Sequence, residues 1–193
     1  MFHIIRKILI FLFLVLIAVL VAIKMNIISF DAVAPLFGVK EEQTVDKEDL
    51  FGPYPVVRVV DGDTAIIRIE GIEKRCRYIS INTEESVADS SYKENTEVGR
   101  KASEYAKKLL TGKSVYIEYD VQTEDDYGRT LVYLYMEMDG KLVMINEYLV
   151  AEGIAQVMTV QPNVKYADRI VEAQKQARKD KKGFWADEWA DQP

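Results

Sequence analysis

Histidine and cysteine are almost missing from this chain: among 193 residues there is one of each, His3 and Cys76. Zinc centres built on imidazole and thiolate are thereby excluded, as are most Ser-His and Cys-His triads. A lone cysteine forms no intrachain disulfide, which suits either redox compartment. Surplus positive charge is lacking too: 25 Lys plus Arg stand against 31 Asp plus Glu, a net of −6. Tight nonspecific binding of nucleic acid needs many phosphate contacts, and this balance counts against it. Chemistry here falls to oxygen-ligated hard cations, carboxylate bases and guanidinium groups, a set that suits phosphate.

One long apolar run is present. Ile8–Ile23 is unbroken for sixteen residues and follows Arg6 and Lys7. At ~1.5 Å per residue it covers about 24 Å, slightly short of a hydrocarbon core, and Ile4, Ile5, Ile27, Ile28 and Phe30 extend it. No polar face interrupts it, so residues 1–30 read as a transmembrane anchor rather than a buried helix. A cleaved signal peptide is the alternative, with a small-x-small site at Ala32-Val33-Ala34 beyond the run. Arg6 and Lys7 would stay cytoplasmic and the rest of the chain would face outward. Residues 31–53 carry Glu41, Glu42, Asp46, Glu48 and Asp49 and read as an acidic linker. The folded domain is expected over 54–193.

Within it, strands are expected over Tyr54–Val60, Thr64–Glu70, Lys74–Ile81, Lys113–Asp120 and Thr130–Met138, from apolar alternation and from turns at Asp61-Gly62-Asp63 and Gly71. Helices are expected over Val98–Leu110, Leu142–Glu152 and Lys165–Lys182. The polar stretch Ser86–Thr96 reads as a surface loop. The expected fold class is α+β: a five-stranded Greek-key β-barrel of the OB type with three helices, preceded by the N-terminal transmembrane helix.

Four stretches carry the chemistry: Asp61-Gly62-Asp63-Thr64, then Arg77, then Asn82-Thr83-Glu84-Glu85, then Asp125-Asp126-Tyr127-Gly128-Arg129. Asn146–Ala155 and Gly183-Phe184-Trp185 follow. An isolated Asp-Gly-Asp-Thr arises in any Asp-Gly turn; the ordered combination at these spacings is specific. From about Tyr54 to Trp185 the chain resembles the staphylococcal nuclease (thermonuclease) family. The resemblance implies an OB-fold core and a calcium-dependent nuclease that acts on DNA and RNA and leaves 3′-phosphate ends. It implies Asp63, Asn82 and the backbone carbonyl of Thr83 as calcium ligands, Glu85 as candidate general base, and Arg77 and Arg129 as the catalytic arginines. Tyr127 matches a tyrosine near the substrate's terminal phosphate. These residue types suit the roles. Calcium takes six to eight oxygens, a carboxylate accepts a proton from water, and guanidinium forks hold phosphate oxygens bidentately at any working pH.

The chain departs from the family at four places. Asn82 stands where the family has aspartate, Glu84 where it has proline, and Asp126 where it has lysine. Val157–Gln161 lacks the two tyrosines on which the family stacks a base. Stacking is worth ~1–3 kcal/mol per base, so weaker nucleotide binding is expected. The implied partners are single-stranded or unwound DNA and RNA as substrate and a membrane through the N-terminal helix, with the protein a monomer. The implied location is the cell membrane with the nuclease domain extracellular, or the medium after signal cleavage. An OB-fold binding module for nucleic acid or protein, weakened in catalysis and displayed at the membrane, is the alternative. Retention of Asp63, Arg77, Glu85 and Arg129 favours the enzyme.

Overall fold

The computed structural model describes residues 2–24, 45–83 and 97–186. The chain divides into two compact units, Met1–Val45 and Asp46–Pro193. In the first, Phe2–Lys24 is a single helix, α1. Its Leu- and Ile-rich sequence has no glycine or proline to interrupt it. Every side chain from Leu9 to Ile17 is large, apolar and exposed. Among the described residues no helix is long and apolar enough to cross a membrane. The transmembrane expectation is therefore corrected to an apolar helix: its unbroken part covers ~24 Å against a hydrocarbon core of ~30 Å.

The second unit opens with a 3-10 turn, Lys47–Asp49, and the strand β1, Phe51–Asp61. Next come β2 (Thr64–Ile69), β3 (Ile72–Tyr78) and the short β4 (Ile81–Asn82). Helix α2 (Glu97–Leu110) precedes β5 (Ser114–Glu118), β6 (Thr130–Met138) and β7 (Lys141–Met144). Helix α3 (Ile145–Ala151), the short β8 (Gln156–Val157) and helix α4 (Ala167–Lys179) complete it. The strands lie in the order β3-β2-β1-β5-β6-β7, and a parallel pairing of β3 with β6 closes the first five into a barrel. Closure leaves those five without an open edge. β1 serves both halves: its start pairs with β5, its end with β2, and register shifts along it bend the strand between them. Alternation fills the interior. Ala65, Ile67 and Ile69 of β2 and Val115 and Ile117 of β5 are buried, while Arg68 between them in the pattern is exposed.

α2 presents Gly99, Ala102, Ser103, Ala106 and Leu110 as its buried stripe, and the first four, being small, let it lie close on β1. The helix expected from Leu142 starts later, at Ile145. Asp139 and Gly140 both adopt positive φ, +50° and +76°, and the tight turn they form sends Lys141–Met144 back along β6 as a strand. Asn146, fully buried in α3, fixes the next layer. Its Oδ1 accepts from the Leu134 amide at 2.8 Å, and its Nδ2 donates to the carbonyls of Ile79 at 2.9 Å and Val132 at 3.2 Å. Gly183-Phe184-Trp185 is a half-buried 3-10 turn. It docks on Gly153, where a Cβ would meet the Lys182 carbonyl oxygen at 2.1 Å.

Candidate active site

Asp63 follows Gly62 in the turn between β1 and β2. Its neighbour Thr64 pairs across the sheet with Arg77 of β3, so the aspartate and the arginine arrive side by side. Arg77 Nη1 lies 2.6 Å from Asp63 Oδ2, with both side chains about nine-tenths buried. After β3 the chain reverses through Ser80, whose φ is +64°, a costly conformation for a residue with a Cβ. That reversal brings Asn82 and Thr83 back to the same place. Asn82 Oδ1 accepts from Arg77 Nη2 at 2.9 Å. Thr83 donates to Asp63 Oδ2 twice, from its amide at 2.7 Å and its hydroxyl at 3.1 Å. Thr64 Oγ1 donates to Asp63 Oδ1 at 2.9 Å. Three of these contacts fall on Oδ2 and one on Oδ1, so Oδ1 keeps a lone pair for a further partner.

Arg129 is held by a separate clamp. Asp125 Oδ1 accepts from the amides of Tyr127 at 3.0 Å and Arg129 at 2.9 Å, and its Oδ2 accepts from Arg129 Nε at 2.7 Å. Burial alone would raise the Asp125 pKa. The hydrogen bonds and charge of Arg129, with the Tyr127 amide, outweigh it and hold the carboxyl below its ordinary range. The Arg129 guanidinium also sits 5.4 Å from the centre of the exposed Tyr127 ring.

These parts meet at one cavity of about 420 Å³, lined by Arg77, Asp125, Asp126, Tyr127 and Arg129 among others. Met158, Val160 and Gln161 also line it, in the segment that follows the pairing of β8 with β4. Asn163 Oδ1 accepts from the Gln122 amide and its Nδ2 donates to the Gln122 carbonyl, both at 2.8 Å, which ties that segment to the chain leading into the Arg129 loop.

Of the residues expected from sequence, Asp63, Arg77, Asn82 and Thr83 thus form one cluster, and Arg129 and Tyr127 line the cavity it opens on. Glu84, Glu85 and the loop Ser86–Thr96 lie outside the described residues. Arg68, Arg100 and Arg169 pair with Glu73, Glu104 and Glu147 away from the cavity. Sequence reasoning left Asp125 without a role, although an aspartate two and four residues before Tyr127 and Arg129 is a side-chain-to-backbone turn signal. It also missed that Asn82 orients Arg77.

The described donors for a cation are the Asp63 carboxylate, the Asn82 amide oxygen and the Thr83 carbonyl. An all-oxygen set fits a hard divalent cation, with waters filling the remaining positions. One of the three is charged, and among the described residues no group of three acidic, His or Cys residues could hold a metal.

A closed OB-type barrel that brings two clamped guanidinium groups to one cavity defines a class of enzyme: a hydrolase of phosphodiesters, a nuclease. Residues 75–187 match the family model described as staphylococcal nuclease homologue. The chain is 43% identical over 136 residues to a thermonuclease of Staphylococcus hyicus, covering 69% of this chain and 75% of that one. A thermonuclease of Staphylococcus intermedius is 42% identical over 135 residues, covering 68% and 75%. The endonuclease YncB of Bacillus subtilis (strain 168) is 34% identical over 131 residues, covering 67% and 59%. The chain belongs to the staphylococcal nuclease family.

Proposed function

We propose that this protein is a calcium-dependent nuclease acting outside the cytoplasm, which hydrolyses single-stranded or unwound DNA and RNA and leaves 3′-phosphate ends. The observation that most supports it is the meeting of Arg77 and Arg129 on one cavity, each fixed by its own carboxylate, Asp63 and Asp125. Neither arginine is used up by its clamp. Arg129 engages Asp125 through Nε, and Arg77 engages Asp63 and Asn82 through Nη1 and Nη2, out of five N–H donors each. The remaining donors suit phosphate oxygens. Charge grows on those oxygens when phosphorus becomes five-coordinate, and fixed guanidinium groups stabilise that charge without reorganising. Glu85, eight positions after Arg77, is the base the family pattern implies. It would take the proton of the attacking water, the new P–O bond would form, and the bond to the 5′ oxygen would break. Asp63, Asn82 and Thr83 would hold calcium, which supplies positive charge beside the reacting phosphate.

The test is cleavage of single-stranded DNA by the purified full chain, with calcium and with EGTA. Calcium-dependent products whose 3′ ends become extendable by a polymerase only after phosphatase treatment support the reading. Binding without cleavage in both conditions would favour an OB-fold binding module, which Asn82 and Asp126 make the second reading.

For location, we propose that α1 is an export segment, supported by Arg6 and Lys7 before its exposed apolar stretch. Protease added to intact cells should remove the nuclease domain and spare cytoplasmic markers. A released form beginning near Pro35 would show cleavage, and a protected domain would refute export.

A further inference from the structure

Two separated departures, Asp126 and the stretch around Met158 and Val160, line the same cavity as the two arginines. Arg77 and Arg129 are each matched by a carboxylate, Asp63 and Asp125. Asp126 is exposed and carries a third. Among the described residues the site thus holds three carboxylates against two guanidinium groups. Met158 and Val160 are 48% and 59% exposed and offer neither a hydrogen-bond donor nor a ring. Away from the arginines, then, the cavity has a negative lip at Asp126 and an apolar patch at Met158 and Val160, next to the polar Gln161.

We infer that Asp126 and this apolar patch make the cavity select internal phosphodiesters and disfavour substrates that place a terminal phosphate in its mouth. The inference rests on the nuclease reading above. A diester carries one negative charge, whereas a terminal phosphate carries about −1.5 to −2 near pH 7 because its second pKa is about 6. For a carboxylate and a phosphate ~6 Å apart in a wet mouth, one added charge changes affinity about threefold, and more where water is scarce. The arginines do not offset this penalty, because their own carboxylates already balance them. Cleavage within a strand therefore proceeds, while cleavage next to a phosphorylated end is slowed.

The experiment uses the full chain and one single-stranded oligonucleotide prepared with hydroxyls at both ends or with a phosphate at one end, 5′ or 3′, so that either strand direction through the cavity is covered. Cleavage one nucleotide from that end is measured against cleavage at internal bonds of the same strand, so each variant's turnover is its own reference. In the natural protein a phosphate at the end that meets Asp126 should lower the end-to-internal ratio about five- to ninefold at low salt. Asp126→Asn should bring the substrates near parity, and Asp126→Lys should invert the preference. Rising salt should shrink all these differences, as expected of a charge at an exposed site. An unchanged ratio at both ends in Asp126→Lys, with internal cleavage still proceeding, overturns the inference. No cleavage at any bond by the natural protein overturns the nuclease reading itself, and this inference with it.

Discussion

Replacing Gly62 by alanine tests whether the packing under Asp63 sets the site. A Cβ there would lie 2.6 Å from Thr83 Cγ2 and 2.9 Å from Thr83 Oγ1. Nothing about the backbone resists alanine, so the clash is the whole effect. To reach ordinary contact at 3.4 Å, the Thr83 methyl must retreat by about 0.8 Å. Thr83 donates to Asp63 Oδ2 at 2.7 and 3.1 Å, and a shift of that size breaks or bends at least one of these bonds. A hydrogen bond to a charged group is worth ~1.5–3 kcal/mol, and overpacking costs ~1–3 kcal/mol. The two overlap, so a loss of about 2 kcal/mol is expected, or ~4–8 °C in Tm for a domain of this size. Asp63 and Arg77 would move together, and a misplacement near 1 Å in an active site lowers turnover by up to ~100-fold. Thermal melts and DNA cleavage rates of Gly62→Ala read both effects. Adding Thr83→Ser removes the nearest clashing atom and keeps the hydroxyl, so the double variant should recover part of both losses. Wild-type turnover and Tm in Gly62→Ala, or no recovery in the double variant, would refute the reasoning.

Other consequences are open to measurement. Arg77→Lys and Arg129→Lys should each lower kcat by ~10²–10³-fold, because a point charge cannot reproduce a fork held by a carboxylate. Near-normal turnover in either would remove that arginine from the mechanism. Asn82→Asp keeps the acceptor that faces Arg77 and adds a negative charge, so the calcium concentration for half-maximal activity should fall several-fold. An unchanged requirement would place residue 82 outside the cation's shell. Asp125 has a lowered pKa, so its contribution to stability is present above the ordinary aspartate value near 3.9 and is lost as pH falls through the lowered one. The Tm difference between the natural protein and Asp125→Asn should then be a few degrees at pH 7 and shrink steadily below pH 4. A difference independent of pH would mean the charge of Asp125 is irrelevant.

The barrel is legible in sequence where a strand shows one face to the core, as β2 and the start of β5 do; β6 is buried over residues 132–136 and reads instead as a continuous apolar run. Ala65, Ile67 and Ile69 alternate with the half-buried Ile66 and the exposed Arg68, and the glycine turns mark the ends. β7 is not legible. Leu142-Val143-Met144 runs straight into the apolar start of α3, and only the hairpin geometry of Asp139-Gly140 decides that it is extended. β4 and β8 have two residues each, too short for any periodicity, yet their pairing carries Met158 toward the cavity. The motif spacings locate Asp63, Arg77, Tyr127 and Arg129. They do not reveal that Asn82 holds Arg77, because that bond depends on the reversal at Ser80 and on the register of β3.

If Arg77 and Arg129 act as proposed, the clamps also explain how an acidic protein can work on a polyanion. With Asp63 and Asp125 against them, the two arginines add little long-range attraction, so substrate affinity gains little from net charge. Their value lies in direction. A phosphate entering the cavity meets guanidinium groups whose orientation is already fixed by short hydrogen bonds, and the charge it develops during attack exceeds the charge it brings. Interactions that strengthen only as the reaction proceeds raise turnover, whereas uniform attraction would mainly retain substrate and product. A third carboxylate at the lip, Asp126, is tolerable under that arrangement. It repels the whole substrate weakly and a doubly charged end more strongly, and it leaves the fork geometry at the reacting phosphate untouched.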